Sequence, residues 1–189
     1  MKTKSRLRQV YRAKRAALTL DEVQEKSIAI ANQLLRLDIW NHANYHLFLP
    51  IEKSNEVDTA HILNILQGRD KNVILSRSNF NDGTMQHYLL TDSTKLVVNK
   101  YGIPEPDENA IEFPVDKINV VFIPLLVADL NGHRVGYGKG FYDRFLINCQ
   151  PNTQFIGLSF FEPIESIEDI YTGDVPVNQL ITPANTFNF

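Results

Sequence analysis

Four consecutive residues, Val120-Val121-Phe122-Ile123, place the tightest limit on the fold. A β-branched and aromatic run with no charge reads as a strand, and one this apolar is covered on both faces. Strands buried on both sides belong to parallel sheets, which carry helices above and below. The run therefore predicts a central parallel strand, leading through Pro124 to a turn at Asp129-Leu130-Asn131-Gly132.

The flanking segments supply the helices and the other strands. Residues 4–17 form an expected first helix. Leu7, Val10, Tyr11 and Ala17 make one stripe of it, while Lys4, Arg8, Arg12 and Arg15 lie at helical spacing on another. Thr19-Leu20-Asp21-Glu22 matches a capping box and opens a second helix to about Leu37. A third is expected over residues 56–66, a fourth over 141–149 and a short helical piece over 164–170. Strands are expected at 44–49, 73–76, 87–90 and 155–159, with a turn at Asn81-Asp82-Gly83. The prolines of Tyr101-Gly102-Ile103-Pro104-Glu105-Pro106 exclude helix, and the segment reads as an ordered extended loop. Alternating strands and helices predict an α/β fold: a single three-layer domain over residues 1–189, with a largely parallel central sheet flanked by helices.

Length and composition suit that reading. A chain of 189 residues, 43% hydrophobic and 22% charged, is ordinary for one globular domain. One cysteine, Cys149, excludes an internal disulfide, fits a reducing compartment and reads as a small hydrophobe in a helix. No apolar run is long enough to span a bilayer, and no secretory signal follows the first methionine, so a cytoplasmic protein without a membrane partner is expected. Charge is unevenly placed. Residues 1–15 carry seven basic side chains and no acid, so against a total of −3 the remainder bears −10. A basic arm on an acidic body suits an anion site, a nucleic-acid arm, a transit peptide or simply a solvated helix face. The transit reading is weak, because the basic helix runs directly into further well-signalled structure.

Chemistry concentrates in residues 132–143, which hold four of the nine glycines. Gly136, Gly138 and Gly140 alternate with Tyr137 and Lys139, so the backbone can bring its amides close to an oxyanion with no Cβ in the way. A helix then opens near Phe141, where free amides favour phosphate. Lys139 and Arg134 add positive charge. The loop is not a Walker sequence, since Gly140 follows Lys139. Nor is it the dinucleotide fingerprint, because Phe141 stands at the third glycine. His42, His46, His61, His87 and His133 show no metal-ligand spacing and carry no expected role.

The run from Gly132 through Gly-Tyr-Gly-Lys-Gly-Phe-Tyr-Asp-Arg resembles the signature of the 5-formyltetrahydrofolate cyclo-ligase family. Four more segments are similar to that family's in the same order: Lys4-x-x-Leu7-Arg8, Tyr101-Gly102-Ile103-Pro104-Glu105-Pro106, Phe122-Ile123-Pro124-Leu125-Leu126, and Asp174-Val175-Pro176-Val177 with Ile181-Thr182. The chain departs from the family's pattern at Gly173, where histidine is frequent, at Phe141, where tyrosine is common, and at Ser76-Arg77, where proline often stands.

The resemblance implies an enzyme that uses ATP and Mg²⁺ to close 5-formyltetrahydrofolate to 5,10-methenyltetrahydrofolate through a phosphorylated formyl group. It implies that Lys4, Arg8, Arg134, Lys139 and the backbone of Gly136, Tyr137, Gly138, Gly140, Phe141 and Tyr142 bind ATP, with Lys139 and Arg134 as the catalytic cations. Asp143 and Asp174 would hold Mg²⁺, Glu56 would contact the pterin, and Tyr101 and Phe141 would stack on substrate rings. Phosphoryl transfer asks for positioning and charge relief more than covalent chemistry, which agrees with the lack of a visible nucleophile or dyad. Two other readings compete: a non-catalytic nucleotide or sugar-phosphate sensor, and an RNA-associated protein using the basic arm. The second is opposed by the acidic body, which repels a polyanion. A monomer working on small molecules, without nucleic acid, is the expectation.

Overall fold

The computed structural model describes residues 2–189. Helices α1 (Lys4–Ala16) and α2 (Leu20–Leu34) come first, then β1 (Asn44–His46), α3 (Ala60–Gly68) and the hairpin β2 (Asn72–Asn79) and β3 (Thr84–Leu89). A flap follows, made of β4 (Leu96–Val98) and β5 (Pro104–Pro106), with β6 (Ile111–Glu112) beyond it. Next are β7 (Val120–Pro124), the small hairpin β8 (Val127–Ala128) and β9 (Arg134–Val135), and α4 (Phe141–Leu146). Strands β10 (Gln154–Leu158), β11 (Gln179–Ile181) and β12 (Thr186–Asn188) end the chain.

Eight strands form one sheet in the order β12-β11-β10-β7-β1-β2-β3-β6. The five from β11 to β2 are parallel, and antiparallel strands close both edges. Strand β7 pairs with β10 and β1, so the charge-free run is central, and Val120, Val121, Phe122 and Ile123 are all fully buried. Its residues alternate between two cores. Val120 and Phe122 join Ile30, Leu34, Ile62 and Leu66 under α2 and α3, whereas Val121 and Ile123 join Phe145 and Leu146 of α4 on the opposite face. These are three layers, as the sequence predicts. At about 1.5–3 kcal/mol for each large apolar side chain buried, this strand alone is a substantial part of the driving force. Helix α1 sets Leu7 and Tyr11 against Leu126, Val127 and Val135, and so docks on the β8–β9 hairpin.

Strand order fixes where a ligand can sit. From β1 the chain passes outward through α3 to β2, then returns to the other side of β1 as β7. Strand order therefore reverses between β1 and β7, and a crevice opens beyond their carboxyl ends, where open α/β sheets bind ligands.

Local details hold or fail for identifiable reasons. The capping box of α2 forms, with the Thr19 amide donating to Glu22 Oε2 at 2.8 Å and the Glu22 amide to Thr19 Oγ1 at 3.2 Å. The third helix starts at Ala60, not residue 56. The Asp58 amide donates to Ser27 Oγ at 2.9 Å and the Thr59 hydroxyl to the Phe48 carbonyl at 2.7 Å, which ties the intervening backbone to α2 and to the end of β1. Residues 164–170 are not helical. Their amides go elsewhere, Ile164 to the Ala128 carbonyl and Ile167 to the buried Asp129 carboxylate, each within 3.0 Å. Helix α4 stops at Leu146, and the amides of Asn148 and Cys149 bond three residues back in tighter turns. The proline loop is extended as expected, and its residues Pro104–Pro106 pair with β4.

Candidate active site

A cleft of about 490 Å³ occupies the crevice beyond β1 and β7, a volume suited to small ligands. One wall is the glycine loop between β9 and α4. Gly138 and Gly140 have φ of +89° and +70°, a left-handed backbone that glycine adopts without cost. A Cβ at Gly138 would also lie 2.8 Å from Arg8 Cζ. Among the described residues, no backbone amide from Gly136 to Asp143 donates to a protein acceptor. An unbroken run of amides without acceptors is the donor set an oxyanion asks for.

Positive charge lines the same wall. The basic stripe of α1 lies along the loop: Arg8 Nε donates to the Gly136 carbonyl at 2.9 Å, Arg12 Nη2 to the Tyr137 carbonyl at 3.4 Å, and Arg15 to the Tyr137 hydroxyl. Lys4, at the head of the stripe, forms an ion pair with Asp174 and stands 5.0 Å from the centre of the Tyr171 ring. Lys139 is exposed and makes no ion pair among the described residues. Lys4 and Arg8 thus both line the cleft beside the glycine loop. Arg12 and Arg15 were legible only as members of the stripe, whose spacing was itself the signal.

The two acids sit together. Asp143 Oδ1 accepts from Arg134 Nη2 at 2.8 Å and from the Val175 amide at 3.2 Å, which brings α4 beside Asp174. Asp174 Oδ2 accepts from Lys4 and from the Tyr171 amide. Partial burial pushes the Asp174 carboxyl upward, but the bonds from Lys4 and Tyr171 and the nearby Arg134 outweigh it and hold it below its ordinary value. Each carboxylate keeps one oxygen with no protein partner among the described residues.

Aromatic side chains line the cleft as well. Tyr101 stacks on Phe80 with ring centres 4.0 Å apart, and Phe80 meets Phe141 edge-on at 5.0 Å. Phe80, from the β2–β3 turn, had no signal of its own in the sequence. Glu56 is buried, accepting from the Ile51 amide at 2.7 Å and the Tyr137 hydroxyl at 2.6 Å. It therefore faces the cleft from the loop after β1, not from a helix start. Arg77 does not line the cleft; Arg77 Nε donates to the Pro106 carbonyl at 2.9 Å and the side chain covers Tyr88, fastening the flap to β2.

His46 and His87, to which the sequence assigned nothing, flank Ser76 on the cleft floor. His46 Nε2 lies 2.7 Å from Ser76 Oγ, and His87 Nδ1 lies 3.0 Å from it. Burial pushes His87 down to about 4; burial and then the neighbouring His87 push His46 well below its ordinary range. Both imidazoles are therefore neutral at neutral pH, while in the unfolded chain each titrates near 6.5. Between these values the unfolded state binds more protons, so stability is complete above about pH 6.5 and falls as pH drops toward 4. For His87 alone the expected loss is about 3 kcal/mol. Urea unfolding at stepped pH, repeated on His87→Gln, checks it: the variant's stability should vary less over that window.

Fold and site together define an α/β protein with a glycine loop of acceptor-free amides beside an aromatic-lined cleft at the switch point of a largely parallel sheet. The model of the 5-formyltetrahydrofolate cyclo-ligase family matches residues 1–183, and the chain belongs to that family of enzymes. It is 30% identical over 185 residues to the 5-formyltetrahydrofolate cyclo-ligase of Haemophilus influenzae, covering 94% of this chain and 96% of that one. It is 27% identical to the Escherichia coli enzyme of the same name, over 95% and 100% of the two chains. The solved 5,10-methenyltetrahydrofolate synthetase of Aquifex aeolicus superposes with a TM-score of 0.80 at 25% identity, over 98% of this chain and 92% of that one. The fold is also that of the Mycoplasma pneumoniae 5,10-methenyltetrahydrofolate synthetase, with a TM-score of 0.75 at 21% identity over 95% and 98%.

Proposed function

We propose that this chain closes 5-formyltetrahydrofolate to 5,10-methenyltetrahydrofolate at the expense of ATP, releasing ADP and phosphate. The observation that carries the proposal is one cleft with two chemistries: acceptor-free amides flanked by cations, and beside them a buried carboxylate and an aromatic cluster. The first suits a nucleotide's phosphates; the second suits a pterin, whose amino and ring NH groups can donate to Glu56.

A formamide oxygen is a poor leaving group, which is the physical need for ATP. The formyl oxygen attacks the γ-phosphorus, and the bond from phosphorus to the ADP oxygen breaks. N10 then attacks the activated formyl carbon, the carbon–oxygen bond breaks, phosphate departs and the N10 proton is lost. Arg134 and Lys139 relieve charge on the transferring oxygens, and holding both reactants in line supplies up to about 7–11 kcal/mol of the barrier. Lys4, Arg8 and the loop amides hold the phosphates, while Tyr101 and Phe141 offer ring faces to the folate.

No group of three or more potential metal ligands exists among the described residues. Asp143 and Asp174, each with one oxygen to spare, nevertheless suit Mg²⁺, which takes one or two carboxylates and completes its shell with nucleotide oxygens and water. Bound with ATP, the ion supplies further charge neutralisation at the β- and γ-phosphates. Cys149, free and half-buried, suits the reducing cytoplasm. Lys4, Arg8 and Arg12 of the α1 stripe line the cleft, which favours a small anionic ligand over nucleic acid as the stripe's partner; no helix among the described residues is long and apolar enough to cross a membrane.

Purified protein with ATP, Mg²⁺ and 5-formyltetrahydrofolate should accumulate the absorbance of the methenyl product. ATP binding without product would defeat the proposal and favour a nucleotide sensor. Asp174→Asn is expected to raise the Mg²⁺ concentration for half-maximal rate about tenfold, an effect of the size seen when groups around a metal are lost. An unchanged metal dependence would remove Asp174 from the metal site.

A further inference from the structure

Glu56 and the glycine loop both line the cleft, and one side chain joins them. The Tyr137 hydroxyl donates to Glu56 Oε1 at 2.6 Å and accepts from Arg15, and the guanidinium carbons of Arg12 and Arg15 each lie 5.3 Å from the centre of its ring. The backbone of the same residue lies in the acceptor-free run, between Gly136 and the left-handed Gly138. Resting on the function proposed above, we infer that the Tyr137 side chain is a positioning residue that couples the two substrate sites, so that nucleotide on the loop raises affinity for the folate at Glu56.

The physical basis is the geometry of the carboxylate. Glu56 can accept about four hydrogen bonds. Ile51 and Tyr137 take one on each oxygen, which fixes the plane of the group and leaves one position per oxygen for two donors on a ligand. Protein contacts hold the loop through its carbonyls and the Tyr137 side chain, whereas its run of amides has no protein acceptor among the described residues. Phosphate on its amides would hold it as seen here, and holding the loop holds the hydroxyl on Glu56. Coupling of this kind is reciprocal, and folate must raise nucleotide affinity by the same factor. Burial pushes the Glu56 carboxyl upward, and the Tyr137 bond is the first of the contacts that oppose it. Losing the hydroxyl therefore also favours the protonated acid, which accepts less well.

The test is the dissociation constant of 5-formyltetrahydrofolate with and without saturating β,γ-imido-ATP and Mg²⁺, in wild type, Tyr137→Phe and Arg15→Gln. Wild type should bind folate at least about 5-fold more tightly with the analogue, the low end of usual couplings. In Tyr137→Phe that factor should fall to within 2-fold of unity, with analogue affinity changed less than about 3-fold. The acid limb of folate binding should move to higher pH. Arg15→Gln keeps the hydroxyl and should give an intermediate factor, which keeps the test open if Tyr137→Phe folds poorly. A factor that survives in Tyr137→Phe, or both affinities falling together with the factor intact, overturns the inference. So does an uncoupled wild type that still turns over, and in that case the proposed reaction stands. A wild type that binds the analogue but forms no product sinks the reaction instead.

Discussion

Lys139→Ala is expected to lower kcat by about 10²–10³-fold while leaving unfolding free energy within about 0.5 kcal/mol of wild type. The separation follows from where the side chain lies. Lys139 lines the cleft in the middle of the acceptor-free loop, but it is exposed and makes no ion pair among the described residues. Folding therefore gains almost nothing from its charge. A phosphoryl group entering the loop brings negative charge that the transition state spreads over its equatorial oxygens, and an ammonium placed there becomes most useful at that moment. The loss should thus fall on kcat more than on the KM for ATP, since Arg8, Lys4 and the amides still hold the ground state. Steady-state kinetics beside a urea titration checks both halves. A variant with a raised KM and an unchanged kcat would make Lys139 a binding residue only.

Much of the frame behind this expectation is readable in the chain. Val120–Ile123 announces a strand covered on both faces because no residue in it could meet water favourably, and β7 lies between two parallel neighbours. The glycine alternation is legible for a similar reason: positions at +89° and +70° tolerate little else. The stripe of Lys4, Arg8, Arg12 and Arg15 also declared itself, since helical spacing is a local property.

What escaped was decided by contacts across the chain. Glu56 read as an early helix residue, yet the Ser27 hydroxyl takes the Asp58 amide, the Thr59 hydroxyl ties to the Phe48 carbonyl, and α3 is delayed to Ala60. Residues 164–170 have helical periodicity, but Asp129, about 38 positions earlier in the hydrogen bond to Ile167, offers their backbone a better-placed partner. The floor of the cleft is the extreme case. Ser76 lies 30 residues from His46 and 11 from His87, and only the pairing of β1, β2 and β3 brings them together. No spacing rule links such residues, because register between strands carries the information.

Arg134→Met is the counterpart to Lys139→Ala, with the same charge removed and a different outcome expected. The Arg134 side chain is only 7% exposed, and its bond to Asp143 Oδ1 is 2.8 Å. Removing it leaves the Asp143 carboxylate in a cleft with the Val175 amide as its remaining donor among the described residues, beside a second acid at Asp174. Breaking a buried pair from one side costs about 3–5 kcal/mol, and because Asp143 is 31% exposed the expected loss is nearer 2–3 kcal/mol. Turnover should fall by about 10³-fold or more, since the substitution both deletes a donor to the phosphoryl oxygens and leaves uncompensated negative charge where they must enter. Pairing it with Asp143→Leu separates the two effects. Replacing both partners of a buried ion pair by apolar groups is often neutral for stability, so the double variant should regain most of the lost folding free energy. Its turnover should stay at the level of Arg134→Met or lower, because no cation has been restored and the carboxylate proposed to hold Mg²⁺ is gone. Recovery of turnover together with stability would mean that Arg134 serves the fold alone, and that the charge relief attributed to it comes from Lys139 and the α1 stripe.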